Sequence, residues 1–254
     1  MIVQEFILLI MNCRAYKDKA IQQRNTWLKT LPAFLKYYHV IGEEKLTTPF
    51  VIDDKNHILF VKTKDDYNSL PHKVISAFMA IKETYQFKYI FKTDDDQVLT
   101  KPLFFNLLRD KLIGGKKKEH HYEPNDKHHY EPNDKLNDKH HYGPNDKHHY
   151  GGKIININTH KSTYFSKHKK LPSNIVLHEC KYCNGRFYFL SHEAVNDLLK
   201  KQETIKKEYI EDYAIGYYLA PEFKSNMLYL NSNDVFKDMK TNVDNYKRML
   251  LFHF

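Results

Sequence analysis

Three adjacent aspartates, Asp94, Asp95 and Asp96, are the side chains whose type and spacing point most clearly to chemistry. Adjacent carboxylates repel one another, so a cation or several hydrogen-bond donors must compensate their charge. Carboxylate oxygens suit hard cations such as Mn²⁺ or Mg²⁺, which can also hold a diphosphate and stabilise negative charge that develops on it. Taken alone, the cluster leaves two interpretations open: a metal and diphosphate site, or a solvated acidic turn.

A second acidic pair, Glu211 and Asp212, lies in the segment EYIEDYAIGYYLA, which is predicted to be a helix with both acids in its first turn. A carboxylate at this position could take a proton from a substrate hydroxyl as a general base. The helix dipole also favours acids in the first turn. By itself, the pair is therefore more typical of an ordinary helix start.

The elements that must position these groups alternate between strands and helices over the first two-fifths of the chain. Strands are predicted from the segments IVQEFILLIM, KYYHVIG, HILFVK and KYIFKT, and the last of these runs directly into the three aspartates. One helix is predicted from Asp18 through Trp27 and another, with one apolar face, from Pro71 to Tyr85. This alternation predicts an α/β fold, Rossmann-like, with a mostly parallel central sheet flanked by helices and a ligand site at its strand ends.

The second half of the chain continues with fewer elements. The segment KIININT predicts a strand. The segment CNGRFYFLSHEAVNDLLKK predicts a turn, a short strand and a helix whose N-cap is Ser191.

Residues 116–152 separate the two halves and differ completely in character. The octapeptide HHYEPNDK occurs at 120–127 and 128–135, and HHYGPNDK follows at 140–147. The repeat offers turns but no apolar face, which predicts a mobile, His-rich insertion within a single domain of residues 1–254. Weak metal binding by the repeated histidines stays open as an alternative.

Composition limits the partners of the chain. Lys and Arg exceed Asp and Glu by 40 to 31, but the positive charge is spread along the sequence, which favours a solvated surface. No basic stretch interleaved with aromatic residues indicates a nucleic-acid partner. The apolar start MIVQEFILLIMN lacks a basic region before it and a cleavage site after it, and no run reaches the ~18 apolar residues of a membrane span. We therefore expect no stable membrane insertion.

Five segments resemble, in order, the motifs of glycosyltransferase family 31, the group of β-1,3-galactosyltransferases, N-acetylglucosaminyltransferases and fringe enzymes. They are AIQQRNTWL, DDYNSLPHKVI, KTDDDQV, YCNGRFYFLS and EDYAIG. The resemblance implies a single nucleotide-sugar glycosyltransferase fold of the A type. It also implies an inverting reaction that moves a hexose or N-acetylhexosamine from a UDP-sugar to a glycan or protein hydroxyl, with Mn²⁺ (or Mg²⁺) as cofactor.

The resemblance also implies roles for individual residues. Asp96 would bind the metal together with His253 from the C-terminal tail, and Asp212 would be the catalytic base with Glu211 beside it. The donor nucleotide sugar would be bound by the following residues: Asp94, Asp95, Arg24, Asp66, Lys73 and Gly185.

Two departures from the family pattern bear on these expectations. Arg186 and Phe187 stand where the family has small glycines, so a non-catalytic relative that binds nucleotide sugar or glycan is the alternative function. The family's membrane anchor and luminal disulfides are also missing. Three cysteines cannot form a disulfide framework, and we expect a cytoplasmic location, in the host if the chain is viral.

Overall fold

The computed structural model describes residues 1–114, 147–166 and 168–239 of the 254-residue chain. The strands are β1 (Ile2–Val3), β2 (Phe6–Met11), β3 (Leu35–Gly42), β4 (Phe50–Asp53), β5 (Ile58–Val61), β6 (Tyr85–Gln86), β7 (Tyr89–Asp94), β8 (Gln97–Leu99), β9 (Tyr150–Ile157), β10 (His160–Lys161), β11 (Val176–Leu177), β12 (Cys180–Ser191), β13 (Leu228–Tyr229) and β14 (Phe236–Asp238). The α-helices are α1 (Lys17–Asn25), α2 (Leu70–Thr84), α3 (Phe104–Leu112), α4 (His192–Lys200), α5 (Gln202–Ile205), α6 (Glu211–Tyr218), α7 (Pro221–Lys224) and α8 (Ser232–Val235). Short 3₁₀ turns cover Arg14–Tyr16, Trp27–Thr30 and Tyr164–Ser166.

The central sheet has eight strands in the order β13-β9-β12-β7-β2-β3-β5-β4. Strand β2 lies between β3 and β7 and is parallel to both, and β3 is parallel to β5. Antiparallel pairing occurs where β12 lies between β7 and β9 and where β4 closes the far edge on β5. The predicted α/β fold with a mostly parallel central sheet is thus confirmed.

Strand β2 shows why the sheet needs helices on both faces. All six of its side chains are buried, and successive residues point to opposite faces. Leu9 joins the core cluster that contains Phe78 of α2, whereas Leu8 joins the cluster that contains Phe105 of α3. The unbroken apolar run therefore has the pattern of a central strand that is covered on both sides. Among the described residues, no helix is long and apolar enough to cross a membrane.

Two local predictions need correction. The segment after Cys180 forms one strand of 12 residues, not a turn and a short strand, because β9 pairs along it with a register shift between Cys183 and Tyr188. The helix predicted as far as Trp27 ends at Asn25 and continues as a 3₁₀ turn. The N-cap prediction is confirmed, since the Ser191 hydroxyl accepts a hydrogen bond from the Ala194 amide at 3.2 Å.

The predicted C-terminal boundary of the insertion, residue 152, is wrong. His148 and Tyr150 are buried, and the Tyr150 hydroxyl accepts a hydrogen bond from the Cys183 amide at 2.7 Å. Gly151 passes so close to its neighbour that an added Cβ would lie 2.5 Å from the Leu228 carbonyl oxygen. The last tyrosine and the Gly-Gly of the repeat, residues 150–152, therefore belong to the sheet. Residues 116–146 lie outside the described residues, and the single-domain organisation stays a prediction.

Candidate active site

A cleft of about 940 Å³ lies at the carboxyl ends of the parallel strands, where open α/β sheets bind ligands. Strand β7 ends at Asp94 beside Met11, the last residue of β2, and the Asp95 amide donates to the Met11 carbonyl at 3.1 Å. The acidic turn is thereby attached to the centre of the sheet. The acidic side chains predicted for the site line this one cleft: Asp66, Asp94, Asp95, Asp96, Glu211 and Asp212.

The three aspartates have different partners. Asp94 accepts a hydrogen bond from Lys92 Nζ at 2.8 Å, and Asp95 accepts one from Lys19 Nζ at 3.1 Å. Asp96 accepts only the Gln97 side-chain amide, at 2.7 Å, and pairs with no cation among the described residues. Asp96 is therefore the carboxylate of the three that still needs a positive charge.

Burial changes the protonation behaviour of the turn. It raises the pKa of Asp94 and raises that of Asp95 to about 6, although the charges of Lys92 and Lys19 oppose the rise. A buried carboxylate, Asp95, and a half-buried one, Asp94, each held by an ammonium group, form a preorganised acidic site.

Lys92 is the residue that joins the two halves of the cleft, and the sequence interpretation missed it. Its ammonium group is buried and lies 2.8 Å from Asp94 Oδ1, 2.8 Å from the Gly185 carbonyl and 3.0 Å from Glu211 Oε2. Burial alone would lower its pKa, but the charges of Asp94 and Glu211 outweigh it and raise the pKa. The available signal was a lysine within the apolar strand segment KYIFKT.

Glu211 does not have the surroundings of a catalytic group. One of its oxygens accepts the Tyr188 hydroxyl and the other lies against Lys92, and the side chain is 3% exposed. Both oxygens are thus occupied inside the protein. Glu211 is the buried partner of Lys92, and the catalytic role expected for it stays a prediction.

Asp212, the next residue, has different partners. Its Oδ2 accepts the Gly185 amide at 2.8 Å and its Oδ1 accepts the amide of Tyr213 at 2.9 Å, and it forms no ion pair with a described residue. Burial raises the pKa of Asp212, and the charge of Lys92 opposes this rise. A Cβ on Gly185 would lie 3.3 Å from Asp212 Oδ2, so the predicted site glycine provides the space for this close contact. Asp212 fits a general base.

Two of the predicted donor-binding residues line the cleft but also have structural contacts. Lys73 is buried and donates to the Asn12 carbonyl at 2.8 Å and to Asp65 at 2.6 Å. Asp66 is exposed and accepts the Ser69 amide at 2.9 Å, before α2 begins. Asp65, which sequence reasoning missed, also accepts the Gly42 amide at 2.9 Å and so connects the loop to β3.

Arg24 is not among the residues that line the cleft, so its expected role in donor binding stays a prediction. It lies on the face of α1 towards β3, where its charge adds to burial in lowering the pKa of His39. Its neighbour Gln23 faces the acidic turn instead and donates to the carbonyls of Asp94 at 3.2 Å and Gln97 at 2.8 Å. Neighbouring residues on a helix point about 100° apart, so Arg24, which matches the family motif, and Gln23, which precedes it, face different parts of the protein.

The two residues that replace family glycines point in different directions. Phe187 is fully buried and packs against Phe104 and Phe236, away from the cleft. Arg186 lines the cleft, and its guanidinium lies 2.8 Å from Asp238 and 3.2 Å from the Phe236 carbonyl. Phe187 therefore takes no space from a substrate.

One wall of the cleft is aromatic. The Tyr67 ring stacks on His168 with ring centres 3.9 Å apart, and Tyr164 stacks on the same imidazole at 6.4 Å. Tyr67 and Tyr164 are both more than a third exposed. The lining of the cleft thus combines aromatic rings with carboxylates, a combination typical of small-molecule sites.

The acidic turn fits a divalent cation whose ligands come partly from the protein and partly from a substrate. No group of three or more His, Cys, Asp or Glu side chains placed to hold a metal occurs among residues 1–114, 147–166 and 168–239. Mg²⁺-type ions need only one or two protein carboxylates when phosphate oxygens complete their shell, and Asp96 supplies one without a competing cation. His253 lies outside the described residues. The chain passes this site as β14, and the Met239 amide donates to the Asp96 carbonyl at 2.6 Å.

Comparison with known proteins adds a family. A family model described as galactosyltransferase matches residues 20–224, whereas no curated relative matches the chain. Three solved structures give TM-scores below 0.5. A glycosyltransferase involved in the glycosylation of the major capsid of PBCV-1 is 10% identical, with 97% of this chain and 99% of that chain covered and a TM-score of 0.44. The galactosyltransferase LgtC in complex with donor and acceptor sugar analogues is 10% identical, covering 90% and 74%, with a TM-score of 0.42. The inositol-1-phosphate CTP transferase from T. maritima is 8% identical, covering 96% and 92%, with a TM-score of 0.43.

Proposed function

Since the chain belongs to the galactosyltransferase family and is thus a glycosyltransferase, we propose that it transfers a hexose or N-acetylhexosamine from a UDP-sugar to a hydroxyl acceptor with inversion. The observation that carries this proposal is the division of roles among the cleft carboxylates. Lys92 and Lys19 neutralise Asp94 and Asp95, whereas Asp96 and Asp212 have no cationic partner among the described residues.

The charge of the cleft supports dependence on a divalent cation. Eight carboxylates but only four cations line it, which gives its lining a net charge of −4 with His168 neutral. A nucleoside diphosphate is itself an anion, and like charges disfavour its entry. When bound at Asp96, with His253 as the second ligand that the resemblance implies, Mn²⁺ or Mg²⁺ would neutralise the diphosphate and polarise its leaving oxygen as a Lewis acid.

Asp212 is the group that we propose takes the proton. The acceptor oxygen attacks the anomeric carbon while its proton passes to Asp212. The bond between the anomeric carbon and the diphosphate oxygen breaks, and its electron pair leaves on the diphosphate. Attack from the side opposite the leaving group converts an α-linked donor into a β-linked product.

The aromatic wall supports a sugar as the occupant of the rest of the cleft. Tyr67 and Tyr164 offer exposed ring faces on which the apolar face of a pyranose can pack. Asp212 is close enough to affect Tyr164: burial is the main cause of the raised pKa of Tyr164, and the negative charge of Asp212 is the second. A sugar on this wall therefore lies near the proposed base.

The test is release of nucleoside diphosphate from a panel of UDP-sugars, with sugar acceptors, in Mn²⁺, Mg²⁺ or chelator. We expect turnover that needs the cation and falls by about 10²–10⁴-fold in Asp212→Asn. Asp96→Asn should lose cation-dependent binding of UDP in calorimetry, while Asp212→Asn keeps it. Asp110→Asn, an exposed carboxylate on α3 outside the cleft, is the matched control and should match the wild type.

Three results would contradict parts of the proposal. Full turnover in Asp212→Asn would remove the assignment of the base. Full cation dependence in Asp96→Asn would remove the assignment of the metal ligand. Binding of UDP by the wild type, with no turnover of any sugar nucleotide, would instead favour the non-catalytic relative.

A further inference from the structure

Arg186 is a cation at the rim of the acidic turn that no role above explains. It follows Gly185 on β12, and the Thr93 hydroxyl donates to its carbonyl at 2.7 Å, which holds its backbone beside β7. Its side chain is 23% exposed and lines the cleft. A charged side chain at this depth needs partners, and the identity of those partners limits what it can do.

The partners of Arg186 leave much of its donor capacity unused. One N–H is donated to the Phe236 carbonyl at 3.2 Å, and Nη2 forms an ion pair with Asp238 at 2.8 Å. A guanidinium group carries five N–H donors, so about three of those of Arg186 have no partner among residues 1–114, 147–166 and 168–239. Asp238 is 69% exposed, and an ion pair to so exposed a carboxylate contributes little free energy.

The other cations of the cleft are less available. Lys92 is saturated by Asp94, Glu211 and the Gly185 carbonyl, and its side chain is 1% exposed. Lys73 is 3% exposed and held by two acceptors, and Lys19 is held by Asp95. Among the described residues that line the cleft, Arg186 is thus the cation with the most free donors.

Arg186 also lies within reach of the proposed metal ligand. Gln97 Nε2 donates both to Asp238 Oδ1 at 3.0 Å and to Asp96 Oδ1 at 2.7 Å. Together with the 2.8 Å ion pair, these contacts place Nη2 of Arg186 no farther than 8.5 Å from Asp96 Oδ1. A diphosphate held at Asp96 through a cation, with metal–oxygen distances of about 2.1 Å, spans much of this gap.

We infer that Arg186 binds the diphosphate of the donor; this inference rests on the proposed glycosyltransferase reaction. Its planar guanidinium matches the oxygens of a phosphate, and its fixed charge does not depend on pH. The contact grows stronger as the bond to the anomeric carbon breaks and the electron pair moves onto the diphosphate. Arg186 therefore favours both binding of the donor and departure of the nucleoside diphosphate.

The experiment compares the full chain with Arg186→Gln, Arg186→Lys and Asp238→Asn. Calorimetric titrations in Mn²⁺ use UDP and uridine, with GDP and guanosine as a second base. We expect Arg186→Gln to weaken diphosphate binding by about 10-fold or more, with the nucleoside affinity unchanged. Arg186→Lys should lie between, because it keeps the charge but loses the paired donors. Asp238→Asn should bind the diphosphate as tightly as the wild type or more tightly, since it releases Arg186 and removes a negative charge.

The design separates this inference from its alternatives. If Arg186 merely anchors β14 beside the acidic turn, then Arg186→Gln and Asp238→Asn weaken diphosphate and nucleoside binding alike and lower the melting temperature together, which overturns the inference. Unchanged diphosphate affinity in Arg186→Gln also overturns it, and if that variant does not fold, Arg186→Lys provides the same comparison. If the wild type binds no nucleoside diphosphate, the proposed function itself fails and the inference falls with it.

Discussion

Replacing Lys92 by methionine removes the ammonium group between Asp94 and Glu211 but keeps a side chain of similar length in β7. The substitution leaves the Glu211 carboxylate, which is 3% exposed, without the cation that lies 3.0 Å away, and leaves the Gly185 carbonyl without its 2.8 Å donor. Asp94 is 35% exposed and regains part of its hydration. The unpaired Glu211 carboxylate therefore accounts for most of the expected loss in the free energy of unfolding.

Breaking a buried pair by removing one partner costs about 3–5 kcal/mol, against a total stability of roughly 5–15 kcal/mol. With a urea m value of about 2–3 kcal/mol/M, the unfolding midpoint should fall by about 1–2.5 M. The matched control is Lys147→Met, which breaks the Lys147–Glu193 pair, whose side chains are 41% and 47% exposed. That exposed pair should cost about 1 kcal/mol or less.

The loss in Lys92→Met should also depend on pH. Burial already raises the pKa of Glu211, and Lys92 is the charge that opposes this most, so the variant raises the pKa further. A carboxyl group whose folded pKa is raised stabilises the protein fully below its unfolded pKa and loses that contribution as the pH rises through the folded pKa. The deficit relative to the wild type should therefore be largest at neutral pH and shrink towards pH 4.5.

The assay is urea unfolding followed by tryptophan fluorescence at pH 7.5 and 4.5, for the wild type, both methionine variants and the double variant Lys92→Met/Glu211→Gln. Neutralising Glu211 should recover part of the stability that Lys92→Met loses. A loss below about 1 kcal/mol, equal to that of Lys147→Met, would refute the argument that Lys92 holds the cleft together. So would a double variant less stable than Lys92→Met.

Three further predictions concern other residues. Burial, with the charges of Arg24 and His57, lowers the pKa of His39 from 6.5 to about 3. Its contribution to stability is therefore complete above pH 6.5 and is lost as the pH falls, by about 3 kcal/mol at pH 4.5. Urea unfolding of His39→Gln should show a correspondingly weaker loss between pH 7.5 and 4.5, and an unchanged pH dependence would contradict this. Gly185→Ala introduces a Cβ 3.3 Å from Asp212 Oδ2, which displaces the carboxylate and should lower kcat by about 10-fold while the melting temperature changes little. Wild-type turnover in this variant would show that the position of Asp212 is not critical. Ser191→Ala removes the cap of α4 and should cost about 1 kcal/mol in urea unfolding, whereas Ser191→Asp should retain most of it.

The elements that could be predicted from the sequence are those encoded within a few residues. The unbroken apolar run of β2, the apolar face of α2 and the cap at Ser191 depend on spacing and local hydrogen bonds. The same applies to the position of the acidic turn, since a parallel strand that runs into three aspartates places them at the carboxyl ends of the strands. The predicted insertion boundary failed because Tyr150, Gly151 and Gly152 resemble the repeat in composition but pair with β12 in the fold.

The sequence by itself therefore determined the order of the elements, the family and the end of the sheet, at the carboxyl ends of its parallel strands, that carries the acids. Only the tertiary structure decided which of the two acids pairs with a buried cation and which has no cationic partner among the described residues. Lys92 contacts a carbonyl 93 positions away and a carboxylate on α6, and these contacts make Glu211 the buried partner of Lys92, whereas Asp212 accepts only backbone amides among the described residues. Such pairs depend on how sheet and helices pack, and a residue's neighbours along the chain carry no record of them. Adjacent acids with the same local signal thus acquire opposite roles through burial and partners.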